Sequence, residues 1–478
     1  MKKILFLLFV IFFNYSAKCS HLMGGEIVVQ NDQVGNYEIL LTLYRDITGI
    51  NLPNVQTMEV YDSNGGLVTT IISNLDSTAY HSVYGIQNGS LLPNNCYGTE
   101  IFFYKANFPC FTPGNYTVTW NNCCRNPTVV NIPNPGSISM FLKCDFTVDL
   151  TTTTSTPFFL SPPIVCVPVN SQWQYNPLPF DSESDSLSWS LGTPFDYASG
   201  SSNLGGSPIT GYSLPPSLPG GDLSINPYTG ELSWSASVVG NYVYTIICEE
   251  FRNGFKLGEI RRDMQFIVLA NNNLPSLSNL NTFNTNSNGV PFLESTTNTA
   301  LNFDLYVIDS SSLFMSFDGL GDLFTDSLNP MTYTINPTNN IYEKRIALNW
   351  TPTNNYVRSN PYIITSRLFN GTFSMDYTFF IYVNDNTSYL SEIDKGFFKI
   401  FPNPNSGSFT KNIYVSAPQR VNFLISDLNG QILTERNVLL NEGVNNIIFG
   451  RNFKSGIYFL TTEKNGGEVT VEKVVVKN

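Results

Sequence analysis

Short apolar runs broken at near-regular intervals by turn residues constrain this chain most. Residues 37–44, 57–61, 67–72, 101–104 and 116–120 are rich in β-branched, aromatic or other apolar side chains, and stretches containing Asn, Gly, Pro or Asp separate them. Breaks about ten residues apart suit short antiparallel strands that bury one face, so the expected fold class is all-β, built from tandem β-sandwiches. Charged residues make up 13% of the chain, about half the usual globular share. Long solvent-facing helices need Glu, Lys and Arg on their wet side, and few are available. At 478 residues the chain exceeds one ordinary domain.

Charge and histidine content exclude several function classes. A net charge of −12 is the wrong sign for neutralising phosphates, so no nucleic-acid partner is expected. The two histidines, His21 and His81, leave little scope for histidine-based catalysis or zinc sites. No G-x-S-x-G, H-E-x-x-H, Walker or dinucleotide fingerprint occurs, and no enzymatic activity is expected.

The N-terminus reads as a signal peptide. Lys2 and Lys3 precede an apolar run over residues 4–13, and Ala17 and Cys19 fit a cleavage site before Ser20. Ten apolar residues make about 15 Å of helix, against about 30 Å of hydrocarbon, so the run is too short for an anchor. Export makes disulfides the default for the remaining cysteines. Cys96, Cys110, Cys123, Cys124, Cys144, Cys166 and Cys248 are the candidates. The adjacent Cys123 and Cys124 are expected to reach different partners, and Cys166 and Cys248 to clasp one domain.

After the signal peptide (1–19), residues 20–156 are expected to form a cysteine-containing β-sandwich. Residues 157–271 and 275–385 read as one repeat used twice. Leu232-Ser233-Trp234 and Leu348-Asn349-Trp350 are each followed by an apolar strand and then by Asn253-Gly254 or Asn370-Gly371. Tryptophan suits a core between two sheets, and Asn-Gly a tight hairpin. Residues 386–396 read as a linker, and 397–478 as a separate small β-module. That module carries nine Lys or Arg against six Asp or Glu, opposite in sign to the rest.

Within it, Pro402-Asn403-Pro404 with Gly407 opens the unit, Asp427 to Gly430 form a D-x-x-G turn, Gly456 and Tyr458 a G-x-Y strand, and Lys473 to Lys477 a basic terminal strand. These motifs, in this order, resemble the type A C-terminal sorting domain of the type IX (Por) secretion system of Bacteroidetes-type bacteria. The resemblance implies recognition by the type IX translocon, removal of the domain by a surface sortase, and release of the remainder or its attachment to surface lipopolysaccharide. It places the protein at the cell surface. His21-Leu22-Met23-Gly24-Gly25-Glu26-Ile27 and Cys123-Cys124-Arg125-Asn126 resemble the N-terminal region of large surface proteins of these bacteria. The two repeats resemble immunoglobulin-like or cadherin-like domains of bacterial surface proteins.

Asp181, Glu183 and Asp185 alternate and so face one way in extended backbone. Hard oxygen donors suit calcium, and Glu249, Glu250 or Asp263 are candidates to complete the shell. The expected role of the exported part is adhesion or surface structure, with a glycan or protein ligand. The alternative is a secreted hydrolase or a carbohydrate-binding protein with accessory sandwiches.

Overall fold

The computed structural model describes residues 22–33, 35–76, 87–92, 98–183, 185–198, 204–270, 273–309, 316–358, 360–385, 400–415, 417–428, 430–450, 453–464 and 469–477. The signal peptide, His21, His81, Cys96 and the 386–396 linker lie outside them. The chain is all-β and divides into two units at Val383 and Asn384.

The larger unit begins with a sheet that closes on itself. Neighbours around the ring are Leu22–Gln33, Asn36–Asp46, Thr99–Pro109, Leu67–Leu75, Val55–Asp62, Gly114–Cys123 and Ser139–Val148. The strand Phe255–Leu269 completes it, pairing Ile260 with Cys144 on one side and Met264 with Gly24 on the other. Burial follows position. Asn36–Asp46 is covered on both faces, which accounts for its unbroken Ile39-Leu40-Leu41 run, whereas Val55–Asp62 alternates and keeps one wet face. The ring therefore needs a strand more than a hundred residues downstream. The expected free-standing sandwich over 20–156 is corrected accordingly: its sheet closes through the next repeat.

Both repeats share one strand order. In the second, Ser276–Leu277, Leu301–Ile308, Glu343–Trp350 and Thr332–Pro337 form one sheet. Pro291–Thr296, Ser374–Asn384, Tyr362–Phe369 and Ser316–Leu320 lie in the other. Read in chain order this is the ABED and GFC arrangement of immunoglobulin-like sandwiches. The first repeat pairs Gln172–Tyr175, Leu232–Ser235 and Ser224–Ile225 against Ser186–Gly192, Gly240–Arg252 and Phe255–Leu269. Trp234 and Trp350 occupy equivalent strands and are both buried. Trp234 stacks on Phe266, and Trp350 meets Tyr362 edge-on. The two Asn-Gly pairs differ. Asn253 and Gly254, with φ of 53° and 82°, form a two-residue hairpin. Asn370 instead accepts hydrogen bonds from the amides of Thr372 and Phe373 in a longer loop.

The cysteine expectations are corrected. Cys123 and Cys124 are bonded to each other, and Cys166 is disulfide-bonded. Cys110, Cys144 and Cys248 are buried free thiols. Cys144 and Cys248 both register against Ile260, from opposite sides of its strand. Two strand spacings separate them, about 10 Å, beyond the roughly 7 Å a disulfide spans.

The smaller unit packs a three-stranded sheet (Ile400–Phe401, Ser408–Val415, Gly443–Gly450) and a four-stranded one (Ile432–Leu440, Gln419–Ser426, Gly456–Lys464, Val469–Val476). Among the described residues its core runs from Ile400 through Phe423 and Leu460 to Val476.

Candidate functional site

The motifs of the smaller unit, far apart in sequence, meet in space. The Asn403 side chain grips the final strand: Nδ2 donates to Lys473 O at 2.8 Å, and Oδ1 accepts from Val475 N at 2.7 Å. Asn405 continues the grip, with its amide donating to Val475 O and its carbonyl accepting from Lys477 N. Gly407, at φ 100°, turns the chain away and donates its amide to Asn405 Oδ1. Asp427 Oδ1 caps its turn by accepting from Gln431 N, and Gly430 supplies the positive φ there. Gly456 opens the strand that pairs with the last one, and Tyr458 packs on Phe453 while donating to Lys454 O. Lys473 and Lys477 remain exposed beside the clasp.

The N-terminal motifs also converge, on two consecutive residues of Phe255–Leu269. Glu26 receives Arg262 through Nε and Nη2, at 2.6 and 2.7 Å. Asp263 receives Arg125 through Nη1 and Nη2, at 2.8 and 2.5 Å. All four side chains are buried. Gly24 and Gly25 permit the approach, because a Cβ on Gly24 would collide with the Asp263 carbonyl and one on Gly25 would lie 2.7 Å from Leu142. Arg262 also donates to Ser161 O and Tyr175 Oη. Arg367, paired with Asp376, donates to Ser161 Oγ and Pro162 O. One segment, Ser161-Pro162, thus links the ion pairs of both repeats. Arg262 and Arg367 carry no sequence signal of this role; only the Glu26 and Arg125 motifs mark it.

The acidic motif is rearranged. Asp181 and Asp185 gather with Glu250, their carboxylate oxygens within 4.8 Å of one another. Glu183 turns away, accepting from Ser155 N and Ser182 Oγ. Of the other sequence candidates, Glu249 pairs with Lys256 and Asp263 with Arg125. Arg252 grips Asp185 through Nε and Nη2 and reaches Thr153 O in the connecting segment. Burial, then the neighbouring acids, pushes Glu250 up to about 9. Burial also lifts Asp181 to about 6, partly offset by the Asp185 amide it accepts. For Asp185 burial acts upward, but hydrogen bonds from Arg252 and Glu250 outweigh it and hold the carboxyl below its usual value. Asp181 Oδ2 and Glu250 Oε1 are buried with no hydrogen-bond partner among the described residues. An all-oxygen donor set with two such atoms fits a hard divalent cation, although three carboxylates supply only part of a calcium shell.

No curated protein matches the chain. Among solved structures, an endo-fucoidan hydrolase of glycoside hydrolase family 107 is 11% identical at a TM-score of 0.17, over 67% of this chain and 44% of that one. The chain therefore spans less than half the length of that hydrolase. A chimeric titin tandem is 10% identical at a TM-score of 0.18, over 48% of this chain and 100% of the other. An ICAM-5 ectodomain fragment is 9% identical at a TM-score of 0.18, covering 94% and 96%. Similarities at this level assign the chain to none of these proteins' families. The family model for the secretion system C-terminal sorting domain matches residues 399–477, the unit held by the Asn403 clasp. The chain is thus a secreted cell-surface protein carrying a type IX C-terminal sorting domain.

Proposed function

We propose that the exported part acts without catalysis, as an adhesin or structural element of the cell surface. The observation that carries this reading is the continuity of residues 22–383. A closed sheet and two sandwiches share one hydrophobic core, joined by three buried Arg–carboxylate pairs. A body built this way resists bending and holds its surface at a fixed geometry. The sorting domain delivers it, and a surface sortase then cuts within 386–396, freeing the remainder or joining it to lipopolysaccharide. The test compares cells producing the chain, cells lacking it and cells producing a chain without 397–478. Adhesion or envelope integrity should depend on the full chain, and the truncated form should not reach the surface. Unchanged attachment and envelope strength in cells lacking the protein would refute the role.

Calcium belongs to the same reading. We infer that Asp181, Asp185 and Glu250 hold one ion beside the connecting segment that Arg252 grips. Bound there, the cation would draw together acids that burial leaves crowded and would fasten the Asp181–Asp185 turn to the strand Gly240–Arg252 of the same repeat.

A further inference from the structure

A groove of about 420 Å³ crosses the outer face of the first repeat and has no role so far. Its floor follows from strand alternation. In Gln172–Tyr175 and Leu232–Ser235, Trp173, Tyr175, Leu232 and Trp234 point into the core. Gln172, Gln174 and Ser233 are therefore left on the other face. Gln174 stands opposite Ser233, and Ser233 opposite Ser224, so amides and hydroxyls lie side by side. The one ionisable floor residue, Glu231, is already engaged, accepting from Gln174 Nε2 and Thr378 Oγ1.

The walls are two turns held in shape by asparagine side chains. Asn226 Oδ1 accepts from the amides of Tyr228 and Thr229. Asn286 Oδ1 accepts from those of Asn288 and Val290. The first turn sets Tyr228 on the rim, 68% exposed. The second presents Asn288 opposite.

We propose that this groove binds an uncharged saccharide, the Tyr228 ring lying against a sugar face while Gln172, Asn288 and the serines exchange hydrogen bonds with hydroxyls. Amides and hydroxyls both donate and accept, as sugar hydroxyls do, and a phenol ring offers an apolar face with a polar edge. The pre-set turns lower the ordering cost of binding. A charged glycan would find no free opposite charge among the groove-lining residues. The proposal rests on the adhesion reading and names its ligand class.

The test is affinity electrophoresis of the full chain in gels containing laminarin, galactomannan or xylan, with alginate as the anionic comparison. At least one neutral polymer should retard the native chain, and alginate should not. Tyr228→Ala, at an exposed position, should weaken that retardation about tenfold. Gln172→Ala should weaken it as well. No retardation by any neutral polymer, equal retardation by alginate, or retardation unchanged in both variants would overturn the proposal. Cell attachment measured with the same variants separates the two readings: attachment that persists in Tyr228→Ala removes the groove and keeps the adhesin.

Discussion

Glu26 and Arg262 lie 236 positions apart, yet they form a two-pronged ion pair at the seam where the closed sheet takes its last strand from the first repeat. Both side chains are almost wholly shielded from water. Such a pair contributes more to which strands meet than to net stability, because the desolvation of both charges opposes their attraction. Removing one partner is a different matter, since the other charge stays buried and uncompensated. Glu26→Gln should therefore destabilise the larger unit by about 3–5 kcal/mol. Denaturant unfolding of the full chain reads this as an earlier transition of that unit. The transition of the sorting domain, with its separate core, should stay where it is. Coincident shifts of both would show that the two units unfold as one.

Local signals in the sequence account for some of this architecture and not the rest. Trp234 and Trp350 announce their core positions because an aromatic flanked by alternating polar residues has one buried side to occupy. Each sorting motif is a short continuous stretch and their order is fixed, so they are legible even though the clasp between Asn403 and the final strand is not. Closure of the first sheet could not be read, because alternation tells a strand which face to bury and nothing about its partner. Gly24 facing Met264 and Cys144 facing Ile260 are choices made by tertiary packing. The cysteine expectations missed for the same reason: Cys166 and Cys248, expected to clasp one domain, register against Ile267 and Ile260 of the same strand, about 23 Å apart along it. Glu183 is a smaller case. Strict alternation puts it beside Asp181 and Asp185, but the segment turns instead of running as a strand, and Glu250 takes its place.

Glu231 gives the larger unit a pH dependence. Burial raises its carboxyl to about 7, Asp376 adding to the rise and hydrogen bonds from Thr378 and Gln174 opposing it. The folded chain then holds a proton that the unfolded chain, near 4.5, has released. The associated stability is present below about pH 4.5 and is lost as pH rises through 7. A shift of this size corresponds to about 3 kcal/mol at most. Glu231→Gln should flatten this part of the profile between pH 4.5 and 7, measured as the difference in unfolding free energy from the native chain. An unchanged difference across that range would show that Glu231 ionises normally.

Asn403 supplies two side-chain hydrogen bonds to the last strand. Each is worth about 1 kcal/mol net, so Asn403→Ala should lower the stability of the sorting domain by about 1–2 kcal/mol. The larger unit should be unaffected. If the clasp maintains the shape that the secretion machinery reads, surface display should fall in parallel, scored by protease accessibility on intact cells. Normal display from a destabilised variant would mean that the machinery reads the exposed Lys473 and Lys477 region without needing the clasp.

Calcium separates two accounts of the Asp181, Asp185 and Glu250 cluster. If the cluster holds an ion, adding calcium to the chelator-treated full chain should raise the unfolding temperature of the larger unit. At a hundredfold excess over the dissociation constant the gain is about 2.7 kcal/mol. Glu250→Gln removes a carboxylate ligand and should abolish the calcium response while leaving the calcium-free chain about as stable near neutral pH, because the acid, raised to about 9, already holds its proton there. Asp181→Asn should act in the same direction. Glu183→Gln should leave the response intact, since Glu183 bonds to Ser155 and Ser182 instead. A calcium response that survives Glu250→Gln, or is lost only in Glu183→Gln, would return the site to the alternating trio. No response at all would leave the acids as a crowded but purely structural cluster, with Arg252 as counter-charge.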